Sequence, residues 1–332
     1  MQSHRSGCYK VKVCETLKRT LGFTVRILFS IILIAVLAYH IGSADILAQI
    51  KAVRWQIIAI TVAILSSSVL FVTPRWAAIL TTLGHSVPAI ALVRSVFVGF
   101  AFNQLLPTGF GGDVFRVWRA RQLGVPTDIA VHSVLLDRAS GVFISFVGAI
   151  VLLPWISGAA GRPIAGIIGL TALAGIFGLF GFSVLKRLHV SRSWFVSIQR
   201  ELAALEVSVQ TLAARPLLAV ALSLIALVNQ LLPAVAFWLY AGELSVVINP
   251  WDIAMITFIA TLAATIPISV AGWGVREGAL VFLFGLYGIR SEVAFAISVL
   301  YGVSLTLMSV PGLLLIIQQG MRPPAASKTN IT

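Results

Sequence analysis

The sequence predicts an all-α polytopic membrane protein with about six full transmembrane helices and two oppositely oriented re-entrant helical hairpins. Three observations predict it. Of 332 residues, 59% are hydrophobic and only 11% charged, against about 25% charged in soluble domains. Apolar runs long enough for a hydrocarbon core of about 30 Å recur along the chain. Two matching patterns, Pro107…Gly112…Arg116 and Pro267…Gly272…Arg276, then interrupt apolar sequence, each with glycine five and arginine nine residues after proline. Freed backbone groups at such breaks cannot face lipid, so they lie against protein or a water-filled cavity. A matched pair of breaks in two halves points to a transport-type binding site.

In order, residues 1–26 are a basic tail, with six Lys/Arg against Glu15. Residues 27–41 follow as an uncleaved first span, since the charged lead is long and further spans follow. The run 55–73 ends at Pro74-Arg75, and a polar connection leads to Arg94. The segment 95–106 is too short to cross and stops at Pro107. Full-length spans are expected at 129–153, 163–185, 216–241 and 292–319. Between the last two, 252–266 and 278–289 are half-length pieces around the second pattern. Residues 27–319 thus form a single transmembrane domain. Its halves are 27–185 and 216–319, readable as an inverted repeat, with a cytoplasmic loop 186–215 between them and a cytoplasmic tail 320–332.

Charge selects this topology. With the first hairpin entering from the cytoplasm and the second from outside, eighteen of the 24 Lys and Arg are cytoplasmic. Lys51, Arg54, Arg162 and Arg290 are outside, and Arg138 and Arg276 are at membrane depth. That bias is what orients multi-span proteins. Both termini are then cytoplasmic, and the hairpin tips meet near the midplane.

Charges inside apolar segments cost about 2.5–3.5 kcal/mol on insertion scales, so they face a cavity or a partner. Asp137-Arg138 and Arg276-Glu277 are such charges, and Asp113 and Arg116 bracket the first tip. Adjacent residues do not face each other on a helix, so each is expected to pair elsewhere, with Asp137 or Glu277 meeting an arginine of the opposite half. A purely structural ion pair is the other reading. A helix starting at Gly112 would put Asp113 and Arg116 on one face and aim backbone N–H groups at an anion. These six charged residues are the head-group and path candidates. Asn103, Pro107, Gly111, Gly112, Pro267, Gly272 and Gly274 shape the hairpins. Arg119 and Arg121 read as cytoplasmic anchors. Asn103, Asn229 and Gln230 are placed to bond carbonyls freed by the breaks, and Trp273 is a packing wedge or a stacking surface.

Other classes find little support. The two cysteines, Cys8 and Cys14, and five scattered histidines make neither a disulfide framework nor a metal site. No nucleophile–base set and no nucleotide loop occurs, so no catalytic residue, metal or cofactor is expected. The net charge of +13 lacks a soluble fold to read nucleic acid and belongs to membrane orientation.

The combination Asn103-x3-Pro107-x-Gly-x-Gly-Gly112-Asp113-x2-Arg116, Asp137-Arg138 with Gly141, and Pro267-x-Ser-x-Ala-Gly272-x-Gly274-x-Arg276-Glu277-Gly278 resembles the lysylphosphatidylglycerol synthase transmembrane-region family. This is also called the flippase-like domain family and includes hopanoid-associated members. The resemblance spans about residues 20–320. It implies a bacterial inner-membrane protein that moves or presents a lipid with an anionic head group between leaflets. The implied partners are membrane lipids, lipid-modifying enzymes encoded nearby, or further copies of the chain. A lipid-head-group enzyme, its subunit and a scaffold of lipid biosynthesis are the alternatives.

Overall fold

The computed structural model describes residues 43–106, 110–156, 160–172, 204, 206–212, 214–265 and 274–319, and those residues are helical apart from turns and connections. The basic tail, the whole expected first span 27–41, residues 173–185 of the expected span 163–185, Pro107, Pro267, Gly272, Trp273, much of the 186–215 loop and the C-terminal tail lie outside them.

Among the described residues, four segments are long and apolar enough to cross a membrane: Trp55–Thr82, Thr127–Trp155, Pro216–Glu243 and Ser291–Gln318. The helices are α1 (Ser43–Ala52), α2 (Trp55–Ser66), α3 (Val69–Thr82), α4 (Ala89–Leu105), α5 (Gly111–Gln122), α6 (Thr127–Leu152), α7 (Pro216–Glu243), α8 (Pro250–Ala264), α9 (Val275–Gly285), α10 (Ser291–Met308) and α11 (Val310–Gln319). Residues 161–172 are also helical.

Three expected boundaries move. The helix does not stop at Pro74. A proline removes one backbone donor, but apolar sequence continues through Trp76, Ile79 and Leu80, all buried, and packing carries α3 on to Thr82. Arg75 is therefore buried inside a span rather than placed in a polar connection. The short helix before the first break starts at Ala89 rather than near 95. It is 17 residues long, or about 25 Å at 1.5 Å per residue. The last expected span is two helices, broken at Ser309.

The order long, short, short, long occurs twice: α2–α3, α4, α5, α6, and then α7, α8, α9, α10–α11. In each set the first long segment packs on the first short helix, the short helices pack on each other, the second short helix packs on the second long segment, and the long segments touch. Contacts between the sets are reciprocal. α6 packs on α8 as α10–α11 packs on α4, and α6 packs on α7 as α10 packs on α2.

The reciprocity extends to single residues. Gly148, the twenty-second residue from Thr127, meets Phe258, the ninth residue of α8; a Cβ on Gly148 would lie 2.5 Å from that ring. Gly312, the twenty-second from Ser291, meets Phe97, the ninth residue of α4, and a Cβ there would run into its carbonyl. Glycine lets each long segment close on the other half's short helix.

The long segments of the two halves run antiparallel. Arg54, just before α2, ion-pairs with Glu243 at the end of α7 at 2.5 Å. Ile79 near the end of α3 clusters with Leu222 near the start of α7. Reciprocal contacts with antiparallel members are the geometry of an inverted repeat.

The first break is a helical hairpin. Asn103 near the end of α4 lies beside Gly112 at the start of α5, and Gly99 beside Arg116. The chain thus returns toward the side from which it came. Phe102 and Phe115 stack between the arms, centroids 5.0 Å apart. The second pair, α8 and α9, packs together in the same way, but its tip lies outside the described residues, so the expected meeting of tips does too.

Candidate functional site

Three helices bring charge to one point in the first half, and a fourth adds an amide. Asp137 on α6 is almost fully buried. Arg75 Nε on α3 lies 2.6 Å from its Oδ1, and Arg116 Nη2 on α5 lies 2.8 Å from its Oδ2. Arg138, one residue on, ion-pairs with Asp113 at the start of α5. Arg116 Nη1 is 3.8 Å from Asp113 Oδ1, so the i,i+3 spacing does bring these two together. α4 contributes Asn103, which accepts a 2.8 Å hydrogen bond from the Gly112 N–H.

Aromatic rings fix the cations. The Arg116 guanidinium carbon lies 4.2 Å from the centre of the Trp76 ring, and that of Arg138 lies 4.0 Å from Phe110. The Trp76 indole N–H donates to Ser133 Oγ at 3.1 Å, which locks the ring under Arg116. Gly112 permits the close hairpin, because a Cβ there would collide with the Gly99 carbonyl oxygen. A cavity of about 30 Å³, lined by Gly99, Phe100, Asn103, Gly112, Asp113 and Arg116 among others, lies against this cluster. That is room for about two waters. Arg116 Nε, buried, has no hydrogen-bond partner among the described residues.

The cluster holds three arginines and two aspartates, a balance of +1. Each aspartate keeps an arginine other than Arg116: Asp137 has Arg75 and Asp113 has Arg138. Arg116 is the surplus cation.

The second half differs. Glu277 is the third residue of α9, as Asp113 is of α5. Its Oε2 accepts from the Gly274 N–H at 2.5 Å, and its Oε1 takes Arg276 Nε at 3.1 Å and Ser298 Oγ at 3.3 Å. The adjacent residues Arg276 and Glu277 therefore pair with each other, contrary to expectation. They stand in the first turn after Gly274, where the glutamate folds back to cap the helix start, and the arginine follows it. Asp137 likewise pairs within its own half, so among the described residues neither acid meets an arginine of the opposite half. Arg276 also sits 5.5 Å from the Tyr301 ring.

The matched Pro–Gly–Arg spacing does not make the two arginines equivalent. Arg116 is the sixth residue of its helix and Arg276 the second. By position in the long segments, Arg75 corresponds to Ala236, Trp76 to Phe237, and Asp137 to Tyr301. The repeat shares a scaffold, and the shared-carboxylate cluster belongs to the first half. Polar amides also behave differently from expectation. Asn103 bonds a freed N–H rather than a carbonyl, and Gln230 donates to Thr261 Oγ1.

Arg75, Trp76, Phe110 and Ser133 are the site residues that sequence reasoning missed. The signal for Arg75 was present, since apolar residues resume immediately after it. No group of three or more potential metal ligands occurs among the described residues.

No curated protein matches the chain. The sequence model of the lysylphosphatidylglycerol synthase TM region matches residues 23–312. That match covers both hairpins, three of the long segments and most of the fourth, and the chain belongs to the lysylphosphatidylglycerol synthase TM region family.

Proposed function

We propose that the chain moves, or presents between leaflets, a membrane lipid with an anionic head group, and that it has no head-group chemistry of its own. The observation that carries this reading is the surplus arginine. Arg116 can leave Asp137 without orphaning a buried carboxylate, and orphaning one would be strongly unfavourable. A phosphate oxygen offered to Arg116 gains a planar, multiply donating partner from a cluster whose balance is already +1. The cavity beside Arg116 is smaller than a phosphate group, so binding separates the arms of the first hairpin. Membership of a family named for a lipid synthase's membrane region supports a lipid as the ligand.

The membrane is a bacterial inner membrane with both chain ends cytoplasmic. Removing the buried Arg75 and Arg116 from the cytoplasmic tally leaves sixteen Lys/Arg there against four outside, still a strong orienting bias. The test is leaflet-resolved lipid analysis in proteoliposomes, comparing wild type with Arg116→Gln. A scaffold would tolerate that substitution. An enzyme would change the lipid's mass without a partner.

A further inference from the structure

We infer that the groove between α7 and the first turns of α8 seats a single hydrocarbon chain of a bilayer lipid. The groove is about 330 Å³ and lined by Leu231, Ala234, Val235 and Trp238 of α7 and by Trp251 and Ala254 of α8, with two further apolar side chains. That size falls within the range of about 300–1,000 Å³ typical of ligand pockets, and no charged side chain lines it.

Position selects the occupant. The outward face of α7 is apolar and exposed at Leu224, Val228, Val235 and Trp238, so in a membrane this face meets hydrocarbon. Trp238 and Trp251 are each about half exposed, at 51% and 57%, and stand toward the end of α7 that Arg54 and Glu243 mark. Indoles at such a level sit at the membrane–water interface, at headgroup depth. From that end the groove descends along α7 from Trp238 to Leu231, about 10 Å at 1.5 Å per residue. Its floor, at Ala234 and Ala254, is made of small buried side chains, which is what leaves room for a chain.

The groove is also particular to the second half. By position in the matched segments, Trp238 corresponds to Ala77 and Trp251 to Ile90. Because the halves run antiparallel, it opens toward the leaflet opposite the ends of α4 and α5 by which the first hairpin connects.

The test is photolabelling of the full chain in bilayers doped with a phosphatidylglycerol that carries a diazirine in one acyl chain, with labelled peptides mapped by mass spectrometry. The groove predicts several-fold enrichment of label over Leu231–Trp238 and Pro250–Ala254 relative to the more exposed apolar positions Leu70 and Leu217. It also predicts that excess unlabelled lipid competes that label away. Ala234→Phe combined with Ala254→Leu, which fills the floor, abolishes the enrichment. Label spread evenly over the exposed helices, or enrichment that the filled variant retains, overturns the inference. Should the filled variant fail to assemble, the wild-type distribution and its competition decide. None of these readouts requires transport, so they stand or fall apart from the head-group reading.

Discussion

Asp137 is shared by Arg116 and Arg75, one guanidinium on each carboxylate oxygen, at 2.8 and 2.6 Å. Only one of the two arginines is free to leave. Among the described residues Arg75 pairs with Asp137 alone, and without Arg75 the acid depends on Arg116. Arg75→Gln therefore ties Arg116 down, whereas Arg116→Gln leaves both aspartates paired.

The first prediction is a ranking of stabilities. Breaking a buried pair by removing one partner costs roughly 3–5 kcal/mol. Asp137→Asn, which leaves buried Arg75 without a carboxylate and Arg116 with only Asp113 at 3.8 Å, lowers the thermal unfolding midpoint of purified protein by the most. Arg75→Gln comes next, and Arg116→Gln is the mildest. Scanning fluorimetry of the three variants in detergent checks the order. Equal losses for all three would contradict the surplus-cation assignment.

The second concerns the hairpin. Asn103 satisfies the Gly112 N–H at the start of α5. Leaving that donor unbonded in a part-buried site costs about 1–3 kcal/mol. Asn103→Ala is expected to destabilise by that amount, and Asn103→Asp, which retains the acceptor, by less. Unchanged unfolding midpoints for both would show that the bond does not hold the arms together.

The third tests the repeat. Gly148 against Phe258 and Gly312 against Phe97 are the same contact made twice. Overpacking a close contact costs typically about 1–3 kcal/mol. Gly148→Leu and Gly312→Leu should both reduce folded yield, by similar factors, in fluorescence-detected size-exclusion chromatography. A large loss at one and none at the other would argue against equivalent positions.

Much of the architecture was legible in the sequence because membrane segments announce themselves by length and composition. The breaks at Pro107 and at Gly272 with Gly274 marked the two hairpins, and the spans near 129–153 and 216–241 landed within two residues of α6 and α7. What misled was proline at position 74. A proline stops a helix only when nothing beyond it is buried, and Trp76, Ile79 and Leu80 are buried deeply. That one reading hid Arg75, and with it the double occupancy of Asp137. Pairing was also out of reach, because which arginine meets which acid depends on helix register. The equal spacing to Arg116 and Arg276 suggested counterparts, whereas by helix position Asp113 corresponds to Glu277, and the Arg75–Asp137 pair corresponds to the uncharged Ala236 and Tyr301. The Gly148–Phe258 and Gly312–Phe97 pairs carry no sequence signal of their own, since a glycine in a membrane helix is common.

The central claim is that Arg116 serves an anionic lipid rather than the fold. The most direct measurement is the transbilayer rate of a fluorescent phosphatidylglycerol in proteoliposomes containing wild type, Arg116→Gln or Arg116→Lys, with folded protein matched by size-exclusion chromatography. The account predicts faster movement with wild type than in protein-free vesicles, loss of that gain in Arg116→Gln, and partial retention in Arg116→Lys, which keeps the charge but not the planar fork. A wild-type rate equal to that of empty vesicles, or an Arg116→Gln rate equal to wild type, would contradict it.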